Sequence, residues 1–195
     1  MFHIQKYQAA LECFAIWENG YSKEELDQIE FLGQLQDFEK GTIGGVSGAA
    51  PSDVRDSSIS WITHDENSDW LYHRHANILG HVNKDHFLYD VRHFLPFQYT
   101  TYNPNQHYTW HWDVAFGWEN DQRKISSVLF LSDPEDYEGG EFEICLNGNL
   151  DNIASFKPKR GDCMFFASWM PHRVKPVISG NRHTLVSWAL GPRQS

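Results

Sequence analysis

Residues 108–113 read Tyr-Thr-Trp-His-Trp-Asp, and taking this hexapeptide as a strand decides how the rest of the chain is read. Side chains at i and i+2 of a strand point to the same face, so His111 and Asp113 can reach one ion together. The chain around them keeps the same extended character. HFLPFQYTTY, TWHWDVAF, KISSVLFLS, EFEICL, ASFKP, CMFFAS, RVKPVI and TLVSWAL are short runs divided by turn residues such as Asp133-Pro134, Gly139-Gly140 and Asn147-Gly148. About eight short strands at regular spacing predict a double-sheet jelly roll, with Asn147-Gly148 as a hairpin turn. Pro176 falls within one run and, lacking an amide hydrogen, is expected at an edge or a bulge.

A third donor arrives at His172, in FFASWMPHRV. Two imidazoles and one carboxylate leave the remaining positions of an ion open, the ligand set of non-heme Fe(II) oxygenases. In a chain with eleven histidines an isolated His-x-Asp carries little weight; the order of the residues downstream adds more. Arg182 and Thr184 stand i and i+2 in a later run, SGNRHTLVSWALGP, and can face one pocket. A guanidinium binds a carboxylate bidentately and stays charged when buried. Each of these residues also has a plainer reading: a surface His-x-Asp pair, a hydrogen-bonded core histidine, a structural ion pair.

The joint pattern resembles the Fe(II)/2-oxoglutarate-dependent dioxygenases, and within them the prolyl 4-hydroxylase-like branch. The matching residues are Tyr102, Tyr108, His111 and Asp113, then Gly139, Gly140 and Glu141, then Gly161 and Asp162. His172, Val174, Pro176, Val177, Gly180, Arg182 and Trp188 complete the match. The resemblance implies a double-stranded β-helix (jelly roll) core in a mainly β (α+β) chain. It also implies that His111, Asp113 and His172 ligate Fe(II), or another divalent metal in a purified sample. Arg182, with Thr184 or Tyr102, would bind 2-oxoglutarate, which makes His111, Asp113, His172 and Arg182 the catalytic set. The implied reaction converts 2-oxoglutarate, O2 and a substrate C–H bond to succinate, CO2 and a hydroxylated product, with ascorbate as a reductant. The implied substrate is a prolyl residue of a peptide or protein. A hydroxylase of a free amino acid or other small molecule, or a catalytically silent sensor of metal and 2-oxoglutarate, fits the same residues.

Two positions depart from the branch. Asn105 stands where glycine is usual, and asparagine accepts left-handed backbone angles better than most residues. Phe130 stands where many relatives carry a tyrosine whose hydroxyl helps hold the far carboxylate of 2-oxoglutarate. Trp188 is expected to pack over Arg182 and keep it dry. Tyr108 reads as a core aromatic with a hydrogen-bonded hydroxyl.

The 195 residues, with 41% hydrophobic and 15% aromatic content, read as one domain large enough for a real core. Within it, residues 1–86 are a helical and strand support and residues 87–190 the jelly-roll core. No apolar run has the length of a membrane span, and the N-terminus has no basic flank leading into an apolar core. Cys13, Cys145 and Cys163 are far apart and odd in number, which reads as reduced thiols in the cytoplasm rather than a zinc site. A net charge of −10 disfavours nucleic acid, whose binding depends on basic side chains meeting phosphates.

Ahead of the strands, Ser22 and Glu25 form a capping-box pattern before a stripe of Leu26, Ile29 and Leu32. A second helix is expected from about Ser68 to Val82, with Leu71, Ile78 and Val82 on one face. His73 and His75 diverge by about 200° on that helix and cannot share a metal. His81, His86, His93, His107 and His183 are read as satisfied or solvated, His183 being turned away from the Arg182 face by alternation. The polar segment 114–124, with Trp118, is either a substrate cover or a plain hairpin loop.

Overall fold

The computed structural model describes residues 14–43, 53–114, 121–146 and 151–192. The first half of the chain holds β1 (Phe14–Trp17), α1 (Lys23–Gln34), β2 (Glu39–Lys40), β3 (Arg55–Asp56), β4 (Ser58–Ile62) and α2 (Asp69–Val82). Next come β5 (His93–Phe94), β6 (Phe97–Tyr102), β7 (His107–His111), β8 (Asp121–Phe130), β9 (Tyr137–Gly139) and β10 (Phe142–Cys145). The series ends with β11 (Ile153–Phe156), β12 (Cys163–Ala167), β13 (His172–Val174), β14 (Val177–Gly180) and β15 (Arg182–Pro192).

These strands make the two facing sheets of a jelly roll. The larger runs β1-β12-β8-β15-β6-β4-β2, with β5 added to β15, and the smaller runs β11-β10-β13-β7-β3. From residue 87 onward the described strands number eleven where eight runs were expected, because HFLPFQYTTY divides into β5 and β6, RVKPVI into β13 and β14, and β9 is added; β1, β2 and β4 extend the large sheet and β3 the small one. At two residues each, β2 and β3 are too short for alternation to reveal. Pro176 is in neither neighbouring strand: it divides RVKPVI into β13, in the small sheet, and β14, which pairs with β9 in a separate ribbon.

Alternation along the long central strands separates two cores. Phe97, Tyr99, Ile125, Leu129, Leu185 and Ala189 point to the outer face of the large sheet, where Leu26, Ile29 and Leu32 of α1 and Leu71, Ile78 and Val82 of α2 cover them. Each such aliphatic side chain, moved fully out of water, contributes about 1.5–3 kcal/mol. Both helices begin and face as the sequence predicts: the Ser22–Glu25 capping box forms, and α2 starts one residue after Ser68. Gly33 lets α1 lie directly on the sheet, since a Cβ there would be 2.4 Å from the Tyr99 ring. The opposite faces of the same strands carry Tyr102, Val128 and Phe130, which meet Phe142, Ile144 and Val174 of the small sheet. The inner space between the sheets is also where the polar residues 98, 100, 126, 182 and 184 are turned.

Asn105 adopts φ +72° and Gly139, Gly140 and Gly180 are likewise left-handed, the positions where the chain turns between strands. Arg160-Gly161-Asp162 forms a turn before β12, with Arg160 bonded to Asp27 and Glu30 of α1 at 2.7 Å. Cys13, most of the loop 114–124 with Trp118, and the Asn147-Gly148 turn lie outside the described residues. No helix among the described residues is long and apolar enough to cross a membrane.

Candidate active site

His111 closes β7 and His172 opens β13, and the two are directly opposite in the register of these neighbouring strands. Their ring centroids are 4.1 Å apart. Just beyond β7, the amides of Asp113 and Val114 both donate to the Ser168 carbonyl, at 2.9 and 3.0 Å. That anchor brings the Asp113 carboxylate back to the histidines, with Oδ1 3.8 Å from His111 Nε2 and Oδ2 3.6 Å from His172 Nε2. One donor atom from each residue lies within 4.8 Å of the others. Imidazole and carboxylate donors that converge this closely are a ligand set for one divalent ion. Among the described residues it is the one group of three or more His, Cys, Asp or Glu side chains that converges in this way.

The surroundings prepare the three donors. His111 Nδ1 donates to the Thr109 carbonyl at 2.8 Å and His172 Nδ1 to the Met170 carbonyl at 2.9 Å. A carbonyl can only accept, so each Nε2 is left with a free lone pair facing inward. Burial pushes the His111 imidazole down to about 3, helped by His172 and opposed by Asp113. Burial alone would raise the Asp113 carboxyl; His172, His111, Arg123 and the Ser126 hydroxyl outweigh it and hold it at about 2. Ser126 donates to Asp113 Oδ2 at 2.7 Å and pairs with Ser168 at 2.9 Å. The set therefore offers a neutral His111 imidazole and the Asp113 anion, with His172 Nε2 turned toward the same carboxylate.

Arg182 shares one cavity of about 430 Å³ with the triad, and Tyr102, Thr184 and Trp188 line it too. Arg182 is 1% exposed, yet its Nε and Nη2 meet no acceptor from the protein itself. Buried donors are nearly always paired. Two orphaned donors on one edge of a buried cation fit a carboxylate, and 2-oxoglutarate carries one at the end remote from its metal-binding atoms. The rings beside Arg182 are those of Tyr102 and Phe130, each 5.4 Å from Cζ. Trp188 was expected there; its observed partners are Arg123, 4.1 Å from its ring, and Trp61. It stands i+6 from Arg182, about 20 Å along an extended strand.

Residues 97–190 match the 2OG-Fe(II) oxygenase superfamily. The match takes in 94 of the 195 residues, the stretch that carries the triad and Arg182. Among curated proteins it resembles a PKHD-type hydroxylase of Colwellia psychrerythraea, 44% identical over 64 residues that make up 33% of this chain and 27% of that protein. A PKHD-type hydroxylase of Crocosphaera subtropica is 34% identical over 99 residues, 50% of this chain and 43% of that one. The chain thus spans less than half the length of these curated relatives. Its fold is similar to that of a Pseudomonas putida prolyl-4-hydroxylase (TM-score 0.72, 19% identity, 93% of both chains). It is similar as well to a prolyl hydroxylase from Trichoplax adhaerens solved with a hypoxia inducible factor peptide fragment (TM-score 0.73, 20% identity, 91% and 83% of the two chains).

Within this oxygenase fold, several residues reach the cavity that alternation and spacing did not assign to it. Tyr108 is no ordinary core aromatic: it stacks on His111 with ring centroids 3.4 Å apart and planes at 11°, and burial pushes its phenol up to about 12. Arg55 on β3, opposite Tyr108 in register, places Cζ 4.7 Å from that ring and is held by Ser57, Thr42 and Gln98. Arg123 is the instructive case. Strict alternation puts it with Ile125 and Leu129 on the helix-facing side. The pairing of β8 with β15 skips Lys124, going from Ile125↔Ala189 to Arg123↔Leu190. A bulge re-aims the residue beside it, and Arg123 lines the cavity. His183 takes the opposite side to Arg182, as alternation requires, and meets Tyr99 and Glu30.

Proposed function

We propose that this chain is an Fe(II)- and 2-oxoglutarate-dependent dioxygenase that hydroxylates a prolyl residue of a peptide or protein. The observation that carries the reading is the meeting, in one cavity, of a His-Asp-His triad with a buried guanidinium that has two donors unpaired. Bound Fe(II) supplies O2 activation coupled to decarboxylation of 2-oxoglutarate, and the oxidising equivalent for C–H hydroxylation. His111 and His172 would hold it through Nε2 and Asp113 through its carboxylate, with the Ser126 hydroxyl limiting rotation of that carboxylate. Arg182 would take the far carboxylate of 2-oxoglutarate through Nε and Nη2, with Thr184 and Tyr102 beside it. Buried sites of this kind strengthen charge-assisted hydrogen bonds and exclude competing water.

The substrate class rests on two supports. The curated relatives are named PKHD-type hydroxylases, and the Trichoplax neighbour is a prolyl hydroxylase with a peptide bound. In addition, Trp61, Tyr108, Trp110 and Trp112 line the cavity, and aromatic-lined grooves suit proline-containing segments. A formal net charge of −10 supports a non-nucleic-acid substrate. A reducing, cytoplasmic setting belongs to the same proposal, in keeping with Cys145 and Cys163 as buried free thiols.

The test is release of succinate from 2-oxoglutarate with Fe(II) and ascorbate, together with mass spectrometry of proline-containing peptides for the gain of one oxygen. His111→Ala or Asp113→Ala should abolish metal binding. Arg182→Ala should spare metal binding and raise the 2-oxoglutarate requirement. A protein that binds Fe(II) but neither binds nor turns over 2-oxoglutarate would refute the proposal.

A further inference from the structure

With phenylalanine at 130, β8 brings no hydroxyl to Arg182. A phenol nevertheless reaches the guanidinium from another strand. Tyr137, the first residue of β9, is buried. Burial raises its phenol, while the charge of Arg182 and a hydrogen bond with it draw it back. The ring is fixed from several sides. Lys157 Nζ stands 4.4 Å from its centroid and donates to the Tyr137 carbonyl at 2.6 Å. β9 pairs with β14 so that Tyr137 faces Gly180, two residues before Arg182. At Gly140, with φ +64°, an added Cβ would be 3.1 Å from both Arg182 Cδ and Tyr137 Cε2. The absence of a side chain there lets the two residues meet.

Tyr137 does not line the cavity that Arg182 lines, so it stands behind the guanidinium. The guanidinium is a rigid plane with five N–H donors. Nε and Nη2 share one edge of that plane, and they are the two nitrogens without partners. A carboxylate meets such an edge with two parallel hydrogen bonds. Rotation about the last side-chain bonds would take the edge out of line, and the Tyr102 and Phe130 rings, which have no directional bond to it, resist that rotation weakly.

We propose that Tyr137 is a positioning residue for the cosubstrate: its phenol oxygen, accepting from Arg182, sets the rotation at which the Nε–Nη2 edge meets the far carboxylate of 2-oxoglutarate. The inference rests on the proposed 2-oxoglutarate dependence. Tyr137 thereby steadies Arg182 from outside the cavity, a role distinct from that of a hydroxyl at 130, which would meet the carboxylate itself.

The experiment is calorimetric binding to Mn(II)-loaded protein of two probes, 2-oxoglutarate and 2-oxopentanoate, which shares the keto-acid head but has no far carboxylate. Tyr137→Phe removes one oxygen and keeps the ring. It should weaken 2-oxoglutarate about tenfold, the loss for one hydrogen bond to a charged group, and leave 2-oxopentanoate and Mn(II) affinity unchanged. Equal weakening of both probes would assign Tyr137 to packing alone and overturn the inference, as would unchanged 2-oxoglutarate binding. Wild-type protein that takes up Mn(II) but not 2-oxoglutarate would overturn the dioxygenase reading itself.

Discussion

Arg182→Met separates stability from function at a single position. Native Arg182 is 1% exposed, with two donors that meet no acceptor from the protein itself. Leaving a buried donor unsatisfied costs about 1–3 kcal/mol, so the pair costs roughly 2–6 kcal/mol. Methionine has similar length and no donor to strand. Against this gain, the variant loses the hydrogen bond to Tyr137 and the cation–aromatic contacts with Tyr102 and Phe130, which together amount to roughly 2–4 kcal/mol. The midpoints of the two ranges differ by about 1 kcal/mol in favour of the variant, in line with replacements of buried charges by apolar groups of like volume. At this chain length 1 kcal/mol moves Tm by about 2–4 °C, so Mn(II)-loaded Arg182→Met should melt by about that much above wild type. Adding 2-oxoglutarate at about 100 times its Kd stabilises a binder by about 2.7 kcal/mol. That should raise wild-type Tm by roughly 5–10 °C and the variant not at all. Scanning calorimetry with and without 2-oxoglutarate reads both shifts. A variant that melts below wild type, or that gains as much from 2-oxoglutarate, would refute the account of Arg182 as a charge held in readiness for a carboxylate.

Three more outcomes are expected. Ser126→Ala removes the 2.7 Å hydrogen bond to Asp113 and should weaken Mn(II) binding about 10–100-fold, the usual effect of losing such a support, as read by metal titration. His75, on α2, is fully buried between Tyr21, Ser127 and Ser187, and burial pushes its imidazole down to about 4. Its neutral form is favoured in the folded chain, so its contribution is complete above pH 6.5 and is lost as pH falls toward 4. By linkage this is about 3 kcal/mol. Urea unfolding should show that much excess acid destabilisation over His75→Gln, and parallel pH profiles would contradict it. Ser22→Ala should cost about 1 kcal/mol by removing the cap of α1, measurable as a lower urea midpoint at unchanged slope.

What could be read from the sequence was whatever depends on strict periodicity. Arg182 and Thr184 were paired by the two-residue repeat of a strand, and Leu26, Ile29 and Leu32 by the helical one; the same repeat paired His111 with Asp113, although the strand ends at His111 and the Ser168 anchor is what brings Asp113 in. The juxtaposition of His172 with His111 came from the resemblance, since strand register across sixty residues is not a local property. The misses share a cause: each depends on a break in periodicity or on pairing between distant segments. The bulge at Lys124 carries Arg123 into the cavity against its alternation. Arg55 enters on a strand of two residues. Tyr137 reaches Arg182 only because Gly140 makes room for it, and Pro176 parts one apolar run between separate sheets.

The three donor residues are not anchored alike. His111 and His172 belong to the small sheet, while Asp113 is tied by its amide to Ser168, in the turn that follows β12 of the large sheet, and by its carboxylate to Ser126 on β8 of that sheet. A divalent ion gripped by all three would act as a rivet through the mouth of the sandwich, so that spreading the layers apart requires breaking a coordination bond. Amide hydrogen exchange at the ends of β7, β13 and β12 should accordingly slow when metal is added, with little change on the distant helix α1.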